Sequence, residues 1–198
     1  FQNKVLESEE LYYYKYLYMY IGSGVAAADF NNDCLEDLFF VSNLYQNKIF
    51  LNKGDLQFKD ITSKSGIKKT DGFNTGVSIV DINNDGFLDI YINRAGWYED
   101  EQKLANLLYI NNGDLTFTEK AKSYGIADTN RSITSTFFDY DKDGDLDLFI
   151  ANAPSRFDIS GVVLDKKNIQ NHPLTKTFKG SDKLYNNDGN GHFNDVSI

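Results

Sequence analysis

Three short acidic segments of the chain share one spacing, D-x-[DN]-x-D-x-x-x-D, with oxygen-bearing side chains at loop positions 1, 3, 5 and 9. Ca²⁺ takes about six to eight oxygen ligands at roughly 2.3–2.6 Å in flexible geometry, and a backbone carbonyl at position 7 adds one more. The expected ligands are Asp29, Asn31, Asp33, Leu35 and Asp37 in loop 1; Asp81, Asn83, Asp85, Phe87 and Asp89 in loop 2; and Asp139, Asp141, Asp143, Asp145 and Asp147 in loop 3. The spacing therefore predicts up to three calcium ions.

Other interpretations of these loops fit the residues less well. Mg²⁺ demands near-ideal octahedral geometry and retains its waters, and zinc favours His and Cys ligands, which the ligand positions lack. An EF-hand has a bidentate Glu at position 12 and continues into a helix, whereas here the last carboxylate, at position 9, opens an apolar strand. A metal-free turn rich in Asx and Gly is the remaining alternative.

A second motif follows each acidic loop, so the chain is built of repeats. It begins at Asn47, Asn106 and Asp182, and each copy has an aromatic residue eight positions before a phenylalanine. The first unit is expected to form four short strands, at about 25–30, 37–42, 48–52 and 57–61, separated by Asn, Asp and Gly turns. Four strands per unit are typical of β-propeller blades. We predict an all-β fold with blades of four antiparallel strands; a linear array of small β-domains is the alternative.

The repeat boundaries predict one partial propeller over residues 1–198, with units at approximately 22–67, 74–126 and 132–198. Residues 1–3 resemble the last strand of each unit, which predicts a leading strand in addition to about three blades. Because propellers usually close with four to eight blades, we expect the remaining blades to come from the same or another chain. Insertions at 94–105 and 153–181 break the period, and long loops on a rigid scaffold often bind partners.

Composition excludes several classes of partner. The 20 Lys and Arg against 29 Asp and Glu give a net charge of −9, which repels nucleic-acid phosphates and anionic membrane surfaces. No apolar run approaches the roughly 20 residues that span a bilayer, so we expect no membrane insertion by this segment. The single cysteine, Cys34, excludes an internal disulfide.

Nothing in the sequence assembles a catalytic group, so we expect no enzyme and assign no catalytic or organic-cofactor residue. His172 and His192 are isolated, and Glu99, Asp100 and Glu101 form one polar run. No G-x-S-x-G or phosphate-cradling glycine loop occurs. A catalytic or non-catalytic part of a polysaccharide-degrading enzyme stays open as an alternative.

At its acidic loops the chain resembles the FG-GAP/VCBS repeats of integrin α-subunit propellers. The added N-x-[LI]-[FY]-x-N-x-G…F-x-[DE] motif is most similar to VCBS-repeat proteins related to cartilage acidic protein. The resemblance implies a seven-bladed β-propeller in the parent protein, Ca²⁺ in the loops, and a secreted or lipid-anchored protein at an extracellular or cell-envelope surface. Cys34 and Thr134 stand where the pattern has glycine.

Two kinds of binding partner are consistent with this resemblance. A protein-interaction or adhesion module at the cell surface would use the long loops or one propeller face. A carbohydrate-binding propeller of a glycan-uptake system would use aromatic platforms, such as Trp97 with Tyr98. The tyrosines of the run after Leu11 alternate and would lie on one face of a strand; they are Tyr14, Tyr16, Tyr18 and Tyr20. Packing against the next blade is the alternative role for them.

Ligand charge ranks the three predicted sites. Loop 3 offers four side-chain carboxylates at positions 1, 3, 5 and 9, whereas Asn31 and Asn83 are neutral at position 3 of the other loops. Cys34 occupies position 6 of loop 1, where a glycine adopts positive φ cheaply. Calcium titration of single Asp→Ala variants, one per loop, should show that loop 3 binds most tightly and loop 1 most weakly. The reverse order would contradict the ranking.

Overall fold

The computed structural model describes residues 1–9, 12–13, 16, 18–153 and 182–197. Sheet 1 contains β1 (Val25–Ala28), β2 (Asp37–Phe40), β3 (Lys48–Asn52) and β4 (Phe58–Asp60). Sheet 2 contains β5 (Phe73–Val80), β6 (Asp89–Ala95), β7 (Leu107–Asn111) and β8 (Phe117–Glu119), with the one-turn helix α1 (Glu101–Leu104) between β6 and β7. After helix α2 (Ala121–Tyr124), sheet 3 contains β9 (Arg131–Phe138), β10 (Asp147–Ala153), β11 (Lys183–Asn187) and β12 (Phe193–Asp195). Within the described ranges, no helix has the length and apolar character needed to cross a membrane.

Each sheet is an antiparallel meander whose four strands lie in chain order. The three sheets also share one register, in which an aliphatic residue on the second strand pairs with an aromatic residue on the third. These pairs are Leu38 with Phe50, Ile90 with Tyr109, and Leu148 with Tyr185. The predicted all-β fold with four-stranded antiparallel blades is confirmed, and the four strands expected in the first unit all form.

The sheets are held together face to face by apolar side chains. One core cluster joins Phe39 and Ile49 of sheet 1 to Ile90 and Ile92 of sheet 2. A second cluster joins sheet 2 to sheet 3 in the same way, through Tyr91, Leu108, Leu148 and Ile150. We call the face of each sheet that meets the preceding sheet its leading face, and the opposite face its trailing face. Burial of these faces is the main source of stability in such a stack.

A short turn after each of the first two sheets fastens it to the next. The Phe117 N–H donates to the Ser65 carbonyl at 2.7 Å, and Ile67, two residues further on, is buried in the first core cluster. Gly66 between them has φ +77°, and a Cβ there would lie 2.6 Å from the Phe117 carbonyl oxygen. Gly125 has the same relation to the Phe193 carbonyl oxygen. The loop and strand motifs of the sequence do not predict this repeated Gly-Ile turn.

The first residues of the chain do not form the expected strand. Residues 1–9 contain no strand, so the predicted leading strand is wrong. Phe1 instead stacks on Phe40 with ring centroids 4.9 Å apart, and the Asn3 side chain bonds to Asn43.

The alternating tyrosines do not form the predicted one-sided strand. Tyr18 to Tyr20 form a turn, and Tyr14 lies outside the described residues. Tyr16 is fully buried while Tyr20 is exposed. Tyr16 packs with Met19, Phe73 and Ala95 in a third core cluster, which corresponds to the packing alternative rather than to a binding platform.

Two glycine substitutions separate backbone strain from loss of sheet contact. Gly66→Ala should lower the free energy of unfolding by about 2–4 kcal/mol, because it combines an unfavourable positive φ with a clash against the next sheet. Gly54→Ala is the matched control, since its φ is +80° and nothing lies within 4 Å of the new Cβ; it should cost about 1 kcal/mol. Urea unfolding measures both, and equal losses would contradict the fastening role.

Candidate metal centres

The three acidic loops connect the first and second strands of the three sheets. Each loop begins directly after the first strand, at Asp29, Asp81 or Asp139, and ends on the first residue of the second strand. That last residue, at loop position 9, is fully buried in every copy, and the three residues are Asp37, Asp89 and Asp147. The fold therefore brings one buried carboxylate and several exposed ones into the same loop.

The position-9 carboxylate is bonded to two different parts of its sheet. The Asp89 Oδ1 accepts the Asn111 N–H of β7 at 2.8 Å, and its Oδ2 accepts the Ile82 N–H of the loop at 3.1 Å. Asp37 makes the same pair of bonds, to Asn52 and Phe30, and Asp147 makes them to Asn187 and Tyr140. Each carboxylate thus ties the loop to the third strand. Because every carboxylate oxygen has two lone pairs, these bonds leave capacity for a cation.

The exposed loop residues are held by bonds to the loop backbone. In loop 2 the Asp81 carboxylate accepts the Asp85 N–H at 3.0 Å and the Gly86 N–H at 2.9 Å. The Asp85 carboxylate in turn accepts the N–H of Phe87, at position 7, at 2.9 Å. Leu35 and Asp145 donate in the same way to position 5 of their own loops. These bonds curl the backbone and point the oxygens of positions 1 and 5 into the loop.

The residue at position 6 of each loop adopts a left-handed backbone conformation. At position 6, Gly86 has φ +87°, Gly144 has φ +99° and Cys34 has φ +67°. The expectation that position 6 requires positive φ is confirmed, and Cys34 adopts it at a cost of about 1–2 kcal/mol relative to glycine. The Cys34 N–H still donates to Asp29 Oδ2 at 2.7 Å, so loop 1 keeps the shape of the other two.

Among the described residues, loop 3 gathers its carboxylates most closely. Asp139, Asp141 and Asp147 each place one oxygen within 4.8 Å of the others. In loop 2, the amide of Asn83 at position 3 donates to the position-5 carboxylate at 2.8 Å, and Asn31 does the same in loop 1. These amides must turn their oxygens inward to act as ligands. All the donors are hard oxygens, which suit Ca²⁺.

One polar residue beside loop 3 lies outside the predicted ligand positions. The Asn186 amide on β11 donates to Asp141 Oδ2 at 2.9 Å. Its counterparts on β3 and β7 are apolar, Leu51 and Ile110. The only signal in the sequence was this departure from an apolar pattern. The Asn186 side chain adds a polar contact to loop 3 that Leu51 and Ile110 cannot make to the other two loops.

Burial and crowding of negative charge shift the pKa values of these carboxyl groups. The pKa of Asp89 is raised to about 6, chiefly by burial and also by the charges of Asp85 and Asp81, against the lowering effect of the two N–H donors. Burial also raises the pKa of Asp37, and desolvation with the charge of Asp143 raises that of Asp141. Such a group of carboxylates is electrostatically unfavourable alone, and a divalent cation among them removes the repulsion.

Other candidate groups from the sequence have structural roles or lie outside the described residues. The Trp97 and Tyr98 ring centroids are 4.5 Å apart, and Trp97 also packs on Phe73 and Tyr16, so Trp97 is engaged in packing. Asp100 caps α1 by accepting the Gln102 N–H at 3.0 Å. His192 is exposed. His172 and most of the 153–181 insertion lie outside the described residues.

Comparison with known proteins agrees with this geometry. The FG-GAP-like repeat family matches residues 29–92 and 97–150, more than half of the chain. The chain belongs to the FG-GAP-like repeat family. Cartilage acidic protein 1 of Xenopus tropicalis is 30% identical over 137 residues, which cover 68% of this chain and 20% of that protein. The chain therefore spans about a fifth of the length of this curated relative.

The buried and exposed loop carboxylates should differ in their effect on the ion-free protein. Asp89→Asn places an NH₂ group against a buried N–H donor and should lower the free energy of unfolding in EGTA by about 1–3 kcal/mol. Asp85→Asn, its matched control in the same loop, is exposed and should change it by less than about 0.5 kcal/mol. Urea unfolding in EGTA measures both. Equal effects would show that position 9 does not anchor the loop.

Proposed function

We propose that this chain is a calcium-binding, β-propeller-like module that mediates protein interaction or adhesion at an extracellular or cell-envelope surface. The observation that carries the proposal is the loop 3 geometry, in which three carboxylates from positions 1, 3 and 9 converge. Loops 1 and 2 share its left-handed positions and its bond from the position-6 N–H to the position-1 carboxylate. In this proposal up to three ions bind, one per loop.

The ions have a structural role in this proposal. Each loop joins the first strand of a sheet to the second, and its buried aspartate also holds the third strand. Loops 1 and 2 are further linked by the Asn32 amide, which donates to the Gly86 carbonyl at 3.0 Å. An ion bound in a loop would fix the end of each sheet and the alignment of adjacent sheets. We accordingly propose no catalytic activity for this segment.

The proposed surface location rests on the family and on the relative. FG-GAP-like repeats form protein-interaction modules, and the matched relative is named as a cartilage protein. Sites of this exposure and charge suit the weak end of calcium binding, with dissociation constants of about 10⁻⁴–10⁻³ M as in extracellular modules. A chain with a net charge of −9 also avoids nonspecific adsorption to anionic surfaces.

Direct calcium titration tests the metal sites. Isothermal titration calorimetry of EGTA-treated, dialysed protein should show Ca²⁺ binding with little response to Mg²⁺. Asp143→Asn should weaken the tightest site at least tenfold. Asp55→Asn is the matched control, because it removes one exposed carboxylate in the β3–β4 turn, away from the acidic loops. Absence of calcium heat and of competition with Tb³⁺ would contradict the proposal, as would equal effects of the two variants.

Parallel binding assays test the kind of partner. Immobilised protein should capture a protein from extracellular-matrix extract, with capture retained after enzymatic deglycosylation of the extract. The same protein should give no signal on a glycan array. Array binding that is lost on Trp97→Ala, with no protein captured, would favour a carbohydrate-binding module instead.

A further inference from the structure

The three acidic loops differ in the amide group that bonds their central carboxylates. In loops 1 and 2 the residue at position 3 is an asparagine, and its own amide donates to the carboxylate at position 5. In loop 1 Asn31 donates at 3.0 Å, and in loop 2 Asn83 donates at 2.8 Å. Position 3 of loop 3 is Asp141, whose carboxylate has no N–H group to donate. Loop 3 therefore lacks the internal amide that the other two loops contain.

An amide from the third strand of the sheet takes this place in loop 3. Asn186 of β11 is half-buried, and its amide nitrogen donates to Asp141 Oδ2 at 2.9 Å and to Asp147 Oδ1 at 3.4 Å. One NH₂ group therefore bonds the carboxylates of positions 3 and 9. With Asp139, these are the carboxylates that each place one oxygen within 4.8 Å of the others. Asn186 thus bonds loop 3 where its negative charges are most crowded.

The residue at position 3 and the residue on the third strand change together between the repeats. The two loops with asparagine at position 3 have Leu51 and Ile110 at the strand position of Asn186, whereas the loop with Asp141 has Asn186 itself. A carboxylate at position 3 adds repulsion to the loop, and a hydrogen bond from an amide to a charged carboxylate is stronger than one between neutral groups. The Asn186 amide therefore offsets the cost of the additional carboxylate in loop 3.

We propose that Asn186 is a positioning residue for loop 3, which holds Asp141 and Asp147 in the converged arrangement that receives a divalent cation. This inference rests on the proposed calcium function and adds a residue from outside the nine-residue loop. The amide orients the two carboxylates, and the lone pairs that it does not use stay available to the ion. Because ligands that are already in place lose less freedom on binding, this arrangement raises the affinity of loop 3.

Calorimetric Ca²⁺ titration of a double-mutant cycle tests this role, in protein whose loops 1 and 2 are weakened by Asp33→Asn and Asp85→Asn. Asn186→Leu introduces the residue type found at the same position of sheet 1, and it should weaken Ca²⁺ binding at loop 3 by about five- to tenfold. Asp141→Asn restores the residue type of loops 1 and 2 at position 3. In that background Asn186→Leu should weaken binding by less than about twofold, because the two residues act as a pair.

Asn194→Leu is the matched control, because Asn194 is the exposed register partner of Asn186 on β12 and bonds to no loop 3 residue in the part of the chain that the structure describes. It should leave the calcium affinity unchanged. Asn186→Ala repeats the test without an added apolar side chain, and circular dichroism in EGTA checks that each variant folds. Equal weakening by Asn186→Leu with and without Asp141→Asn, or equal effects of Asn186→Leu and the control, would overturn the positioning role alone. Absence of calcium binding by the unmodified chain would overturn the calcium proposal as well.

Discussion

Each sheet of this protein contains an aspartate whose carboxylate lies out of solvent between two backbone amides from different segments. Asp89, for example, accepts from Ile82 in the loop and from Asn111 on β7. Burying a carboxylate is costly unless its oxygens are bonded, so this position determines how the loop must fold and where the third strand must lie. The same carboxylate has lone pairs that these two bonds do not use, and it lies in the same loop as several exposed carboxylates. The fold of the loop and the position of the third strand therefore depend on one side chain.

The same local arrangement is repeated in each of the three packed sheets. Every sheet has a leading face with an aliphatic and an aromatic residue in register, and the trailing faces of sheets 1 and 2 each cover the next sheet. The Gly-Ile turn adds a buried isoleucine at both junctions between sheets and, at the junction of sheets 1 and 2, a backbone hydrogen bond.

Much of the fold was predictable from spacing, which also located the acidic loops, whose calcium binding stays a prediction. Carboxylates at positions 1, 5 and 9 identified the loops, and the apolar residues after Asp37, Asp89 and Asp147 identified the second strands. The prediction of a leading strand at Phe1 to Asn3 was wrong, because a likeness of three residues to a last strand does not supply a partner strand. The prediction of a strand with its tyrosines on one face was also wrong, because tyrosine suits both buried and exposed positions.

Two features needed the structure itself. The Gly-Ile turn lies outside the acidic loop and the motif that follows it. The pattern of strand residues therefore does not predict its contact with the next sheet. Asn186 is close to Asp141 only because β11 lies beside β10, a proximity that linear spacing does not contain.

The central claim is that the loops are calcium sites that stabilise the sheets, and thermal unfolding tests it most directly. The melting temperature of the chain should be measured in EGTA, in millimolar CaCl₂ and in MgCl₂. An ion that binds only the folded protein adds about 2.7 kcal/mol per independent site at a hundredfold excess over its dissociation constant. The account predicts a rise in melting temperature in CaCl₂ that MgCl₂ does not reproduce. Identical melting temperatures in EGTA and in CaCl₂ would contradict it.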